Sequence, residues 1–253
     1  VTSIDLTATT YLGDNTMAVL ASLTDALSRH PALVRLGARV NFDAARSPTD
    51  RLAGVDEGRF DLIWVCGLYT VSRLVPAGRY RVVAVPTFAG EAGPVYRSVI
   101  VAGPDSGAAS LEEAVAAGAR LVANEPLSWS GYHGLIHELR RRGLPTGLVE
   151  QTSFTGTHSE AVAAVAHSAG AEPAIAAVDH TVWNHLVSSA DPAAGRVVVI
   201  DRTDDWPAPP FSLRVGLEPE LFDALSAALL DVTVPGLVSV TPAAAADYRL
   251  MLG

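Results

Sequence analysis

The chain has no lysine; all 18 of its basic residues are arginine. This excludes Schiff-base chemistry on a lysine, including the usual anchorage of pyridoxal phosphate, and it excludes a Walker A loop. Cysteine is almost as scarce. Cys66 stands alone, so no intrachain disulfide can form, and inside the apolar run 60–66 it reads as a small buried hydrophobe. No apolar run approaches the ~18–20 residues that cross a bilayer. The amino end carries no signal peptide and begins almost at once on a strand. Two locations are therefore expected: cytoplasmic, or extracytoplasmic (periplasmic or a cell-surface lipoprotein) with the leader removed. Basic patches are missing as well, with a net charge of −9 and a pI near 5.2. The one tight cluster, Arg140-Arg141-Arg142, falls at a predicted helix end, where it complements the helix dipole and caps carbonyls. Nucleic acid is not an expected partner.

What is present is a large apolar fraction, 49% of 253 residues against 18% charged. That supports a substantial core in one large domain or two lobes of about 100–150 residues each. Short runs rich in valine and isoleucine alternate with amphipathic ones. The pattern predicts strands over 4–8, 38–42, 60–66, 81–87, 98–102, 120–123, 174–178, 197–200 and 213–216. It predicts helices over 15–29, 48–57, 70–75, 111–116, 131–142, 159–168, 179–188 and 219–230, and a helix start at 242–246. Caps are expected at Asp14, at Ser110 with Glu113 three residues on, and at Glu218-Pro219. Continuous apolar strands between helices predict an α/β fold with mainly parallel sheets covered on both faces.

Two Gly/Pro-rich connectors, Ala89-Gly-Glu-Ala-Gly-Pro-Val95 and Asp204-Asp-Trp-Pro-Ala-Pro-Pro210, enclose a self-contained α/β segment. The expected organisation is lobe 1 over 1–90 plus 208–253, lobe 2 over 97–202, and hinge crossovers over 91–96 and 203–207. There is no internal repeat.

In an open α/β sheet, ligands sit beyond the carboxyl ends of strands. The residues there are Tyr11, then Tyr69 and Thr70, then Tyr96, then Ser128, Trp129, Ser130 and Gly131, then Thr157 and His158, and finally Asp179. Two stretches stand out, Asn124-Glu-Pro-Leu-Ser-Trp-Ser-Gly-Tyr132 and Phe154-Thr-Gly-Thr-His-Ser-Glu160. Each follows an apolar run and opens a helical one, which presents hydroxyls and unpaired N–H groups at a helix N-terminus. That is a way to hold an anion without lysine. Each residue also has a plainer reading, as an N-cap for Ser128, Ser130 and Asp179, a core-edge aromatic for Tyr69 and Tyr96, or a capping or surface histidine for His158.

Catalytic patterns are absent. Ser130, His158 and Asp179 lack the Gly-x-Ser-x-Gly elbow of a hydrolase. His133 and His137 are four apart on one helix, without His-Glu-x-x-His or a third metal ligand. No Gly-x-Gly-x-x-Gly follows a strand. The expectation is a binding protein with no catalytic residue, no metal and no cofactor.

Five segments in order resemble the phosphate/phosphite/phosphonate solute-binding proteins of ABC transporters, from about residue 11 to residue 232. They are Phe60-Asp-Leu-Ile-Trp-Val-Cys-Gly-Leu-Tyr69, Tyr96-Arg-Ser-Val-Ile-Val101, Ser128-Trp-Ser-Gly131, Phe154-Thr-Gly-Thr-His158 and Ala177-Val-Asp179. Pro209-Pro210 and the last long helix resemble the family's carboxy-terminal return. The resemblance implies a two-lobed type II periplasmic-binding fold that closes like a clamshell on a small oxyanion between its lobes, with a transporter permease as partner if the protein is exported. It implies that Ser128, Ser130 and N–H groups near Trp129 and Gly131 bind phosphoryl oxygens, completed by Thr157 and His158. Tyr11, Tyr69, Thr70 and Tyr96 then contact ligand from the first lobe and the hinge, and Asp179 faces a donor or orients a neighbour.

Three segments depart from the family pattern. Trp129 replaces a threonine, which either excludes free phosphate or offers a stacking surface to a larger organic ligand. Val65-Cys66-Gly67-Leu68 replaces aromatic-glycine-proline, and the stretch 168–173 is altered. Two other functions remain compatible with the same fold, a lyase or biosynthetic enzyme using His158 and Asp179, and a ligand sensor.

Overall fold

The computed structural model describes residues 3–168 and 173–252, so most of the altered stretch 168–173 lies outside the described residues. The chain divides into two compact units, residues 1–95 with 207–253, and residues 96–206.

Unit 1 opens with β1 (Ile4–Thr10), α1 (Asp14–Arg29), α2 (Pro31–Arg35), β2 (Ala38–Phe42), α3 (Pro48–Asp56) and β3 (Leu62–Trp64). It continues through α4 (Gly67–Tyr69), which runs into a π-turn over Thr70–Leu74, and β4 (Tyr80–Phe88). The crossover strand β5 (Val95–Tyr96) leads out. Unit 2 comprises β6 (Ser98–Ala102), α5 (Leu111–Ala116), β7 (Arg120–Ala123), a π-turn over Trp129–His133 that runs into α6 (Gly134–Arg141), β8 (Ser153–Phe154), α7 (His158–Ala166), β9 (Ala174–Asp179), α8 (His180–Ser188) and β10 (Val198–Arg202). The chain returns through β11 (Trp206–Pro207), which pairs with β5, to β12 (Phe211–Arg214), α9 (Pro219–Asp231), β13 (Leu237–Pro242) and a 3-10 turn over Ala245–Leu252.

The sheets are mixed, which corrects the mainly parallel reading. In unit 1 the order is β13-β4-β12-β3-β1-β2; β1 is parallel to β2 and β3, but the returning β12 lies antiparallel between β3 and β4, and β13 is antiparallel to β4. In unit 2 the order is β10-β6-β9-β7-β8, with β6 antiparallel to both β9 and β10. A buried apolar run looks the same in either direction, so only the chain's exit and re-entry decide it.

Both faces of the unit 2 sheet are covered. Val99, Val101, Val122, Ala176 and Val178 pack on the side of α7 and α8, while Ile100, Leu121, Ile175 and Ala177 pack on the side of α5 and α6. In unit 1, Trp64 is fully buried. It donates its Nε1–H to the Pro209 carbonyl at 3.0 Å and packs on Phe211 and Phe88. Asp61 accepts from the Thr7 N–H at 2.8 Å and from both Nε and Nη2 of Arg214. The aspartate and tryptophan of the 60–69 segment therefore fasten the returning strand to the sheet.

The expected cap at Ser110 is present, Ser110 accepting from the Glu113 N–H, while the Glu113 side chain reaches back one residue beyond the cap, to the Ala109 N–H. The cap expected at Asp14 moves by one residue. Gly13 is the N-cap and Asp14 opens the helix; its side chain lies outside the described residues.

Candidate functional site

The carboxyl end of β7 organises the site in unit 2. Beyond Asn124, the chain turns so that the Ser128 N–H donates to the Glu125 carbonyl at 3.1 Å. Ser128 caps the following helix, its Oγ accepting from the Gly131 N–H at 3.0 Å. The first turn is wound as a π-turn, with the His133 N–H donating to the Ser128 carbonyl. Such turns widen the helix mouth and recur at functional sites. N–H groups of this first turn have no acceptor inside the helix and carry the positive end of its dipole.

A second helix mouth is fastened beside the first. The Thr155 N–H donates to the Ala123 carbonyl at 2.9 Å, and the Gly156 N–H to the Asn124 carbonyl at 2.8 Å. Gly156 has φ of +97°, a conformation that favours glycine. Thr157 caps α7 by accepting from the Glu160 N–H, and His158 is the first residue of the helix. Its ring is buried with Nε2 3.2 Å from Ser130 Oγ, and Asn124 Nδ2 donates to the same nitrogen at 3.4 Å. Burial disfavours the charged imidazole, and in the neutral ring with Nε2 unprotonated that nitrogen shares its one lone pair between the Asn124 amide and the Ser130 hydroxyl.

Burial pushes the His158 pKa down, and the Asp179 charge and the Ala177 carbonyl offset this only in part. Burial likewise lowers His133, aided by Arg140 and opposed by the Pro126 carbonyl. Below the ordinary imidazole value the unfolded chain takes up protons that these two rings refuse. Stability is therefore complete above that value and is lost as pH falls from there through the depressed folded values. Melting temperature is expected to drop between about pH 7.5 and pH 5.5, and His158→Gln to flatten that slope. A wild-type profile as flat as the variant's would contradict the assignment.

Ser98 and Asp179 face each other across β6 and β9. Ser98 Oγ donates to the Ser130 carbonyl at 2.7 Å, tying the loop to the sheet. Asp179 caps α8, its Oδ1 accepting from the Thr181 N–H at 2.8 Å and from its hydroxyl at 2.7 Å. Tyr96 is buried at the end of β5. Trp129 is buried against Trp206, with ring centroids 4.4 Å apart.

The structure thus gathers Ser128, Ser130, Gly131 and His158, with Asp179 opposite Ser98 and Thr157 exposed as a cap. Asn124 and Ser98 join the group although sequence reasoning did not single them out. An asparagine directly after a strand and a serine two residues after Tyr96 were the available signals.

The remaining predicted residues lie in unit 1. Tyr11 meets Tyr69 edge-on at 5.7 Å. The Tyr69 hydroxyl donates to Asp56, and its pKa is raised by burial and then by that carboxylate. Thr70 Oγ1 donates to the Cys66 carbonyl at 3.0 Å. His133 Nε2 donates to the Pro126 carbonyl, and His137 lies against Trp206. No helix among the described residues is long and apolar enough to cross a membrane.

Comparison with known proteins gives a consistent picture. The family model for "ABC transporter, phosphonate, periplasmic substrate-binding protein" matches residues 8–237. A binding protein component of an ABC phosphonate transporter from Pseudomonas aeruginosa is similar over 99% of this chain and 86% of its own, at 15% identity and a TM-score of 0.78. PhnD1 from Prochlorococcus marinus, solved with methylphosphonate, is similar over 98% of this chain and 96% of its own, at 15% identity and a TM-score of 0.77. A Xanthomonas citri protein bound to ATP is similar over 99% and 98%, at 17% identity and a TM-score of 0.70. At such identities the structural likeness shows the fold. No curated protein sequence matches the chain.

Proposed function

The chain belongs to the family of ABC transporter, phosphonate, periplasmic substrate-binding proteins, and on that premise we propose that it binds a small phosphorus oxyanion, a phosphonate, phosphite or phosphate, at loop 128–131 and His158. Proteins of this family are binding components and not enzymes; they work outside the cytoplasm with a membrane permease. The observation that carries the ligand reading is the Ser130 Oγ to His158 Nε2 contact of 3.2 Å, made where two helix mouths are fastened together. An oxyanion placed there meets N–H groups of two helices and hydroxyls of Ser128 and Ser130. The Ser130 hydroxyl can turn its proton from the imidazole to the ligand, exchanging a neutral hydrogen bond for a charge-assisted one, each of which contributes roughly 1.5–3 kcal/mol. The ligand-facing roles of Tyr11, Tyr69, Thr70 and Tyr96, and hinge motion at the crossovers, belong to the same proposal.

An acid–base role for His158 and Asp179 finds no support, because Asp179 Oδ1 is engaged by Thr181.

The test is a thermal-shift screen with methylphosphonate, 2-aminoethylphosphonate, phosphite, phosphate and sulfate. A ligand at about 100 times its Kd adds roughly 2.7 kcal/mol. Shifts confined to the phosphorus compounds are expected. Ser130→Ala combined with His158→Ala is expected to raise Kd about tenfold or more, the loss of at least one such bond. An unchanged Kd would remove both residues from the site, and no shift with any of the compounds would remove the ligand class.

A further inference from the structure

Three aromatic rings from separate segments meet behind the loop. Trp129, in the first turn after the Ser128 cap, packs on Trp206 with centroids 4.4 Å apart and planes at 64°. Trp206 meets His137 of α6 at 4.7 Å and 88°, and Trp129 meets His137 at 6.2 Å. Both indoles are buried, with 4% and 8% exposure. The packing is also written into the backbone: a Cβ at Gly134 would lie 2.9 Å from the Trp129 carbonyl oxygen and 3.3 Å from its Nε1, so the absence of a side chain there makes room for the indole.

Each of three successive loop residues is therefore held by a different partner. The Ser128 side chain is tied to the Gly131 N–H, the Ser130 carbonyl is held by Ser98, and Trp129 is held by Trp206. Trp206 is the last residue of unit 2 and lies in β11, one of the two crossover strands. It packs on the loop through the Trp129 indole.

We propose that Trp206 is a positioning residue for the oxyanion loop: by clamping Trp129 it holds the hydroxyl and N–H of the neighbouring Ser130 in their binding geometry before ligand arrives. This rests on the reading that loop 128–131 binds the anion. Donors fixed in advance spend no ordering entropy on binding, so the clamp acts on affinity although Trp206 itself need not touch ligand. It also makes the geometry of one crossover strand and that of the loop a single packing arrangement.

The experiment uses the full chain carrying Trp206→Leu, with Trp206→Phe as the conservative variant. Amide hydrogen exchange is measured without ligand, and methylphosphonate is then titrated by calorimetry. In Trp206→Leu, exchange in a peptide spanning 128–133 is expected to accelerate about tenfold or more, with peptides from β6 and β9 unchanged, because the opening is local. Methylphosphonate Kd is expected to rise by a similar factor, and Trp206→Phe to restore most of both effects. Should Trp206→Leu fail to fold, His137→Ala, which removes one ring of the clamp, is expected to give the same local acceleration to a smaller extent.

Unchanged loop exchange, or acceleration spread evenly over unit 2, overturns the proposal. If wild-type protein binds no methylphosphonate while loop exchange responds as expected, the ligand reading fails and the clamp stands.

Discussion

Gly131→Ala is expected to weaken oxyanion binding by about a hundredfold or more, which corresponds to the loss of two charge-assisted hydrogen bonds. The backbone at Gly131 does not require glycine, as its φ is not positive; the neighbours do. An added Cβ would lie 1.8 Å from Asn124 Oδ1, 2.7 Å from Asn124 Cγ and 3.0 Å from His158 Cε1. Asn124 is 9% exposed and its side-chain amide sits on His158 Nε2, so any retreat of that side chain disturbs the second helix mouth. Displacing it breaks the bond to His158 and shifts Ser130 relative to that ring. Overpacking of this kind also lowers stability by about 1–3 kcal/mol. Calorimetric titration with methylphosphonate beside a melting curve separates the two effects. A variant that binds within a factor of about three of wild type would show that the loop can relax around a methyl group.

This crowding was only half visible in the sequence. Ser130 and His158 could be placed near one another because each opens a helix after a strand, and β2, β6 and β7 have the limits that their apolar runs predicted. The hydrogen bonds that fasten the second loop to the first run from Gly156 and Thr155 to backbone carbonyls, and backbone acceptors leave no trace in residue identity. Asn124 was overlooked for the same reason: an asparagine after a strand reads as a turn until its amide is seen on an imidazole.

Other misses have their own causes. The π-turns at Thr70–Leu74 and Trp129–His133 insert one residue per turn, which the 3.6-residue period does not register. In β13 a register shift between Leu237 and Ser239 breaks the alternation that marks a strand. The direction of β12 depends on where the chain re-enters unit 1, a long-range fact. Trp129 looked like bulk added to a binding loop. Its indole instead packs on Trp206, a residue 77 positions away.

The second large effect lies at the other end of the helix that begins at this loop. Glu138→Ala is expected to destabilise the protein by about 3 kcal/mol, the lower end of what breaking a buried ion pair costs. Glu138 is 1% exposed. Its Oε1 accepts from Arg141 Nη2 and from Arg142 Nε, each at 2.5 Å. Arg142 in turn reaches Asp201 at 2.6 Å and Glu112 at 3.0 Å, and Arg141 reaches Asp204 at 3.1 Å. Two of the three arginines that looked like helix-end caps thus tie the end of α6 to its surroundings through carboxylates: Arg142 to β10 and α5, and Arg141 to Asp204, just after β10.

Burial alone would push the Glu138 pKa up, but the hydrogen bonds and charges of Arg141 and Arg142 outweigh it and hold the carboxyl below its ordinary range. Asp201 is lowered against burial in the same way, chiefly by Arg142. The sign follows: the network's contribution is complete above the ordinary carboxylate values and is lost as pH falls through the lowered ones. Glu138→Ala removes part of that acid-labile stability, so urea unfolding should show a smaller difference between variant and wild type at about pH 3 than at pH 7.

The cost stays near the lower bound because Arg142 keeps Asp201 and Glu112, and Arg141 is half exposed, so neither guanidinium is left buried without a partner. Glu138→Gln, which preserves volume and one acceptor, is expected to lose less. The effect on methylphosphonate affinity is expected to stay within about threefold. The loop is secured by Ser98 and Trp206, and both contacts lie upstream of Glu138 on the path from the loop to the helix end. A loss of affinity as large as that of Gly131→Ala would mean that the ion-pair network, rather than the aromatic clamp, sets the position of the helix mouth.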